Sequence, residues 1–591
     1  MKTLIHKTGK KSEALISAII VLALVLAVVA VMHLRARGFR DTANMQLDTD
    51  KAYSLAKSGV GIGKSFIPSG GSGSGDPCSG SGGGVSCDLI HKSYDLAGGN
   101  SLTIDIDPCN GTLTSSGKAG KSVRLVKNSF PPVVGGTGDP AAITWAKSYN
   151  AGGQEKSTTI LKTSGGYILE GQTDRWGSKD FLIIKTDLCG NIQWAKTYGG
   201  SLNELCDDIM PERIGANTIL EVDDGFVITK ATNSEGQGSY DFILFKIDKS
   251  NGNLIWVKTY GSTYSDQAHD IKDDGTGFVL AGSYGVSKTN NAMVIVKTDY
   301  NGTKKWAYSY DTSANEVAES VVPFQESGEQ RYLLAGWSAT TSLKSDLRDA
   351  AVIKINSTGT SLAQARYNTP DKLQEIIHSA IPAINTSTGS FDGFVVGGWC
   401  TGVAFGYNPS FFAKINSTLA TNCPGCWYRL YEGSVTSMAQ DSRDIYEDSN
   451  GNFYFAGMRD FEGLLLKTDY QGNFSWMRQY GDKTDSWDHL FEVGPTDSGF
   501  ILGGWYGPEA TSDFFAVRTD ESGSITNCST ILGNDQNLTL FPSTISANLT
   551  SFLTRADINS TIIQKNITLE NITVKTHGVD FNITVNDLCS P

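Results

Sequence analysis

The chain has 591 residues and 63.4 kDa, with 49 Lys/Arg against 62 Asp/Glu and a formal net charge of −13. That length excludes a small regulatory module and calls for several domains or one large repeat architecture, while 65 Gly, 16 Pro, 39% hydrophobic and 10% aromatic residues fit a turn-rich β protein rather than a disordered one. Residues 1–40 hold seven Lys/Arg and one Glu, so the remainder carries −19 and nucleic acid is excluded as its partner.

Ala14 to Met32 is a run of 19 uncharged residues. As a helix it would be about 28 Å long, enough to span a bilayer. His33-Leu34-Arg35-Ala36-Arg37 follows where a cleaved secretory signal would place small residues, so the segment is expected to remain as an anchor, with the Lys-rich end inside and everything after Arg35 outside. No proline occurs before Pro68, and Phe39, Ala43, Leu47, Ala52, Leu55, Ala56 and Val60 continue the helical pattern. Residues 1–66 are thus predicted to be a short leader followed by one helix of roughly fifty residues, from about Lys10 to Phe66.

The basic leader ending Gly9-Lys10-Lys11, Glu13 at the start of the apolar run, and Ala52-Tyr53-Ser54-Leu55-Ala56-Lys57-Ser58-Gly59-Val60 resemble the amino terminus of type IV pilin-like proteins, the PilX-type minor pilins in particular. Asn110-Gly111-Thr112-Leu113-Thr114-Ser115-Ser116-Gly117 and Val123-Arg124-Leu125-Val126 are similar to a hairpin and strand of that family's small β-sheet. The resemblance implies a filament subunit in which Glu13 sets axial register and Ala52, Ala56 and Gly59 allow close helix packing. If Gly9 precedes the processing cut, Glu13 falls at the fourth mature position rather than the usual fifth. A plain signal anchor is the other reading of this helix.

Residues 67–88 are Gly/Ser-rich linker around Cys78 and Cys87, which are expected to close that loop on itself, and residues 89–140 are expected to form a small β-domain. From Ile143 onward the chain repeats: Trp145-Ala-Lys-Ser-Tyr149, Trp194-Ala-Lys-Thr-Tyr198, Trp256-Val-Lys-Thr-Tyr260, Trp306-Ala-Tyr-Ser-Tyr310, a degenerate Ala363 to Tyr367, Trp427-Tyr-Arg-Leu-Tyr431 and Trp476-Met-Arg-Gln-Tyr480, at intervals of 49, 62, 50, 57, 64 and 49 residues. Each unit has a strand ending near glycine (Gly171, Gly282, Gly336, Gly398, Gly457, Gly504), a rule broken by Lys230 in the second unit. Each then has an apolar strand ending in a basic residue, a spacer and Asp or Asn: Lys185/Asp187, Lys246/Asp248, Lys297/Asp299, Lys354/Asn356, Lys414/Asn416, Lys467/Asp469 and Arg518/Asp520. Seven such units predict a mainly β, seven-bladed propeller over residues 141–526, with Trp as inter-blade wedge and Asp/Asn capping the turn that follows. The spacing "K-x-D-x-x-G-x-x-x-W" resembles quinoprotein-type and related secreted propellers.

No single-copy constellation for a quinone, a metal or a nucleophile stands out, so no cofactor and no enzymatic activity are expected. Asp273-Asp274-Gly275 and Asp448-Ser449-Asn450-Gly451-Asn452 read as hairpin turns rather than calcium loops, lacking the bidentate Glu at the twelfth position. His269 and His489 each lie 13 residues after their unit's Trp and His378 lies 15 after Ala363, which makes them similar positions in alternate units, too far apart to share a zinc ion and best read as a polar repeat position.

Of the ten cysteines, only Cys423-Pro-Gly-Cys426 forms a CxxC unit, and it sits among turn residues. Structural disulfides in an oxidising compartment are expected, with Cys189 and Cys206 bracketing the Trp194 strand and Cys528 and Cys589 in the tail as further candidates. Sequons occur at Asn110, Asn301, Asn356, Asn385, Asn416, Asn473, Asn527, Asn537, Asn548, Asn559, Asn566, Asn571 and Asn582, concentrated in a tail of short alternating strands, 527–591. Together these features point to an archaeal cell-surface glycoprotein, membrane-anchored and filament-associated, whose propeller adheres to a surface, glycan or protein partner. The alternatives are an outward-facing propeller enzyme tethered to the membrane, and a signal-anchored receptor.

Overall fold

The computed structural model describes four strands between residues 90 and 129, most of residues 144–526, and six short strands between 539 and 587. The chain divides into two compact units, residues 1–141 and 142–591. In the first, Ile90–Leu96, Asn100–Asp107, Thr112–Ala119 and Ser122–Ser129 form an antiparallel meander in chain order. Glu13, Ala52, Ala56, Gly59, Cys78, Cys87 and Asn110, and the expected helix and linker, lie outside the described residues.

The second unit contains seven antiparallel sheets, the blades of a propeller. Blades I to VI follow in order over residues 155–199, 204–261, 267–311, 316–368, 374–432 and 440–480, and blade VII joins residues 489–520 to Trp145–Asn150. The Trp-initiated strand of each repeat is therefore the fourth strand of the preceding blade, and the first such strand closes the ring by pairing Trp145 with Arg518 and Tyr149 with Phe514. Middle strands such as Gly166–Thr173 and Asp180–Thr186 are buried along their whole length, because blades pack face to face and leave neither side to solvent. Each inter-blade interface has its own apolar cluster, as where Ile168, Phe181 and Tyr198 of blade I meet Phe226, Ile243 and Phe245 of blade II.

The repeat spacing now has a physical reading. The basic residue ending each third strand stands directly opposite the wedge position across the hairpin: Lys185 faces Trp194, Lys246 faces Trp256, Lys297 faces Trp306 and Lys467 faces Trp476. The Asp or Asn two residues on caps the turn. Asp469 Oδ1 accepts the amides of Gln471 and Asn473 at 2.8 Å each, and Asn356 Oδ1 accepts those of Thr358 and Thr360 at 3.0 and 2.8 Å. Asp448 does the same for Asn450 and Asn452, and Asp274 Oδ1 accepts the Thr276 amide at 2.8 Å, so both segments form hairpin turns.

The tail is part of the ring. Thr539–Phe541 adds a fifth, outermost strand to blade V, Ser546–Asn548 to IV, Thr554–Asp557 to III, Ile563–Ile567 to II, Thr573–Lys575 to I and Thr584–Asp587 to VII. It runs round the rim against the direction of the blades, antiparallel to each strand it meets. Leu540, Ala547, Arg555, Gln564, Val574 and Val585 stand opposite the repeat tyrosines 431, 367, 310, 260, 198 and 149, at intervals of 7, 8, 9, 10 and 11 residues. This capping covers edges that would otherwise expose unpaired N–H and C=O groups. Asn548 and Asn566 lie within the strap, opposite Arg366 and Lys258, whereas Asn527, Asn537, Asn559, Asn571, Asn582, Cys528 and Cys589 lie outside the described residues.

All blades run the same way, so the two ends of the ring differ. One end carries the hairpins between first and second and between third and fourth strands and is called the turn face. The other, the loop face, carries the connections between second and third strands and between blades.

Candidate functional site at the centre of the ring

The innermost strand of six blades carries a bulged residue at an equivalent position: Thr158, His269, Glu319, His378, Arg443 and Phe491. The residue before each bulge pairs with the repeat glycine of the second strand, as Ala268 with Gly282 and Leu490 with Gly504. The bulge presses the inner strand onto that glycine: a Cβ on Gly171 would sit 2.0 Å from the Lys156 carbonyl oxygen, and one on Gly504 1.7 Å from that of His489. In blade II the inner strand stops at Leu205 and resumes at Ile219, and residues 206–217 between them lie outside the described residues. It is there that the glycine is replaced by Lys230.

His269 and His378 are thus equivalent, as inferred from their spacing. His489 is not. It precedes the bulge of blade VII by two residues, and Phe491 is the true counterpart; counting from the Trp misplaced it because the connection between blades VI and VII is longer than that between II and III. Among the described residues no group of three His, Cys, Asp or Glu side chains could hold a metal ion.

The ring interior holds a charged and aromatic cluster that repeat counting missed. His489 is stacked on Trp505 at 4.6 Å and 8° and on Phe491 at 5.3 Å and 13°, with Lys156 over the Trp505 ring at 5.1 Å and Arg443 over Phe491 at 5.4 Å. Next to it, Glu319 accepts from Trp337 Nε1 at 3.1 Å and lies 3.2 Å from His269 Nδ1, while Arg348 covers Trp337 at 4.6 Å. Burial works against the Glu319 charge, yet the His269 contact and the Trp337 bond hold its carboxyl down to about 2. Burial, then the Arg443 charge, push the His378 and His489 imidazoles well below their ordinary range, so both stay neutral. All of these side chains are buried.

A second cluster joins blades I and II. Lys230 Nζ lies 3.4 Å from Glu170 Oε2 and donates to Thr158 Oγ1 at 2.7 Å, and Thr218 donates to the same carboxylate at 2.9 Å. Glu170 stands where the other blades have Ala, Gly or Thr, and Lys230 where they have Gly. This is a single-copy, buried ion pair, where no single-copy constellation stood out in the sequence.

One step deeper, the residue after each bulge ties its blade to the next. Asp270 Oδ2 accepts from Val321 N at 2.8 Å, Asp444 Oδ2 from Val493 N at 3.1 Å, Glu492 Oε2 from Ile160 N at 2.8 Å, and Ser320 Oγ from Ala380 N at 3.3 Å. Burial raises the Asp270 and Glu492 carboxyls, the latter also through Asp444. The centre of the ring is therefore filled by an interlocked plug of buried charged and aromatic side chains.

Cys423 and Cys426 form a disulfide at the turn face. Cys189 is disulfide-bonded to a cysteine outside the described residues, and Cys400 is a buried free thiol.

No family model matches the chain, and no curated protein matches it. Among solved structures it is similar to a Bacteroides fragilis protein described as a putative 6-phosphogluconolactonase, at 11% identity and a TM-score of 0.29, over 68% of this chain and all of that one. The seven-bladed propeller rests on the sheets themselves.

Proposed function

We propose that the chain is a surface protein that presents its propeller as a binding module through the loop face. The observation that carries this reading is the contrast between the two ends of the ring. The turns after the third strands repeat one Asp/Asn-capped design in all seven blades, lengthened only in blade V by the disulfide-closed segment 421–426, whereas the loop-face connections share no common design, as 174–179, 340–347 and 460–461 show by their lengths. A rigid frame with variable loops on one side is suited to recognition. In this reading the apolar segment 14–32 anchors the chain, the pilin-like helix joins other pilin-like subunits in a filament as a minor component, and the bulk of the chain lies outside the cell, meeting a surface, glycan or protein partner.

The test is adhesion by cells displaying the full chain, with connection 233–240 or 340–347 replaced by short Gly/Ser links. Loss of adhesion with the protein still at the surface is expected. Adhesion that survives these replacements but is lost on changing the turn face would overturn the reading. A tethered outward-facing enzyme is the second reading, favoured by the single-copy Glu170–Lys230–Thr158 cluster; Lys230→Met abolishing a measured turnover while adhesion persists would support it.

A further inference from the structure

The five sequons between Trp145 and Asp520 fall on one face. Asn301, Asn356, Asn416 and Asn473 lie in the turns between third and fourth strands of blades III, IV, V and VI, and Asn385 lies at the end of the first strand of blade V, in its hairpin to the second. All are turn-face positions and none of the five is buried. Between Trp145 and Asp520, no connection on the loop face contains a sequon. Asparagine itself is present there, at positions such as Asn150, Asn203 and Asn315. Two near-matches on that face are blocked by proline: Asn408-Pro-Ser has it in the middle, and Asn368-Thr-Pro has it in place of the hydroxyl residue.

The turns themselves show a second sign. Five blades use Asp as the turn cap, but blades IV and V use Asn356 and Asn416. Each accepts through Oδ1: Asn356 from the Thr358 amide and hydroxyl and the Thr360 amide, Asn416 from the Thr418 amide and hydroxyl and the Ala420 amide. An Asp oxygen performs that task equally well in the other blades, as Asp520 does. What Asn adds is Nδ2, the amide atom that the turn does not use and the one that an N-linked glycan requires. In blade VI the arrangement differs, since Asn473 Nδ2 donates to Asp469 Oδ2 at 2.9 Å.

We propose that the turn face is the N-glycosylated face of the blades, with Asn356 and Asn416 as its principal acceptors, and that sequon placement keeps the blade connections of the loop face bare. The co-reactant is an oligosaccharide activated on a lipid pyrophosphate, delivered by a membrane transferase. Nδ2 forms a bond to the anomeric carbon, the bond from that carbon to the pyrophosphate oxygen breaks, the lipid pyrophosphate leaves with the electron pair, and one amide proton passes to a base of the transferase. The second half rests on the reading of the loop face as the contact face, because a glycan there would block approach.

Full-length chain purified from the surface of the cells that make it, digested and mapped as glycopeptides, tests the idea. Sugar mass is expected on the peptides of Asn356 and Asn416, with lower occupancy at Asn473. The variants N356D and N416D keep the turn cap used by the other blades and should each lose that mass without a change in melting temperature. Unmodified Asn356 and Asn416 in the native protein overturn the proposal. S287N, which creates a sequon with Thr289 in an exposed loop-face connection, should acquire a glycan; if it does not, that face is bare for reasons of access rather than sequon placement, and the second half fails. If S287N is glycosylated and adhesion is undiminished, the modification stands and the contact-face reading falls.

Discussion

Tyr480 donates its hydroxyl to the carbonyl oxygen of Gly523 at 2.7 Å, joining the outermost strand of blade VI to the turn of blade VII. The same bond runs from Tyr149 to Gly190, Tyr198 to Gly252, Tyr260 to Gly302, Tyr310 to Gly359, Tyr367 to Leu419 and Tyr431 to Gly472, so every interface of the ring has one. The repeat tyrosine is thus an inter-blade fastener as well as a core residue, and burial raises the Tyr480 hydroxyl far above its ordinary range, keeping it a donor.

Tyr480→Phe removes that donor and leaves the Gly523 carbonyl buried against an apolar ring. The expected loss is about 1–2 kcal/mol, a hydrogen bond plus the unmet acceptor, read as a lower urea midpoint with an unchanged slope. No shift in the midpoint would show that the bond contributes nothing net.

Much of this fold was legible in the sequence because each repeat signal has one local cause. Trp, Tyr, the basic residue and the capping Asp lie within one hairpin of each other, and a hairpin is readable from spacing. The plug was not legible, because Lys156, Arg443, Phe491 and Trp505 come from blades I, VI and VII and meet only when the ring closes. The rim strap was hidden for a related reason: its strands are three to five residues long and its step lengthens from 7 to 11, so no fixed period marks it. One signal pointed the right way. Lys230 broke the glycine rule, and it is there that the inner strand is interrupted and a buried ion pair forms.

Leu419 is the one turn residue in this series that is not Gly, with φ at 66°. Glycine would relieve backbone strain of about 1 kcal/mol, but Leu419 is fully buried among Phe394, Ile415 and Tyr428. Removing a buried Leu side chain costs about 2–5 kcal/mol, so burial wins. Leu419→Gly should lower stability by about 1–4 kcal/mol; a more stable variant would mean that strain dominates.

Stability should also depend on pH in two limbs. Asp266, capping the entry to blade III, is pushed up to about 7 by burial, and Glu316, the matching residue of blade IV beside Asp311, is pushed the same way. A carboxyl raised in the folded state stabilises it fully below the ordinary carboxyl range near 4 and loses that contribution as pH rises through the folded value. Glu319 has the opposite sign: held down to about 2, its contribution is present above about 4.5 and is lost as pH falls toward 2. Asp266→Asn should therefore flatten the decline in melting temperature between pH 5 and 8, and Glu319→Gln should flatten the acid limb. Unaltered profiles in both variants would remove these carboxyls as the cause.

The strap gives the most direct test of how the ring is held. Its last strand, Thr584–Asp587, pairs with Lys147–Asn150, the strand that closes blade VII and through which residues 1–141 join the ring. That closing strand is hydrogen-bonded on both edges only while the strap is in place, and a strand paired on one edge alone can be peeled away bond by bond. Stepwise truncation from the carboxyl end, before 584, before 573, before 563 and so on to 539, should lower stability on the order of 1 kcal/mol per strap strand. The first step should do most harm to the interface between blades VII and I, visible as faster amide exchange within Lys147–Asn150, the residues the last strap strand pairs with. A full truncation that melts where the intact chain does would show that the ring closes without its strap.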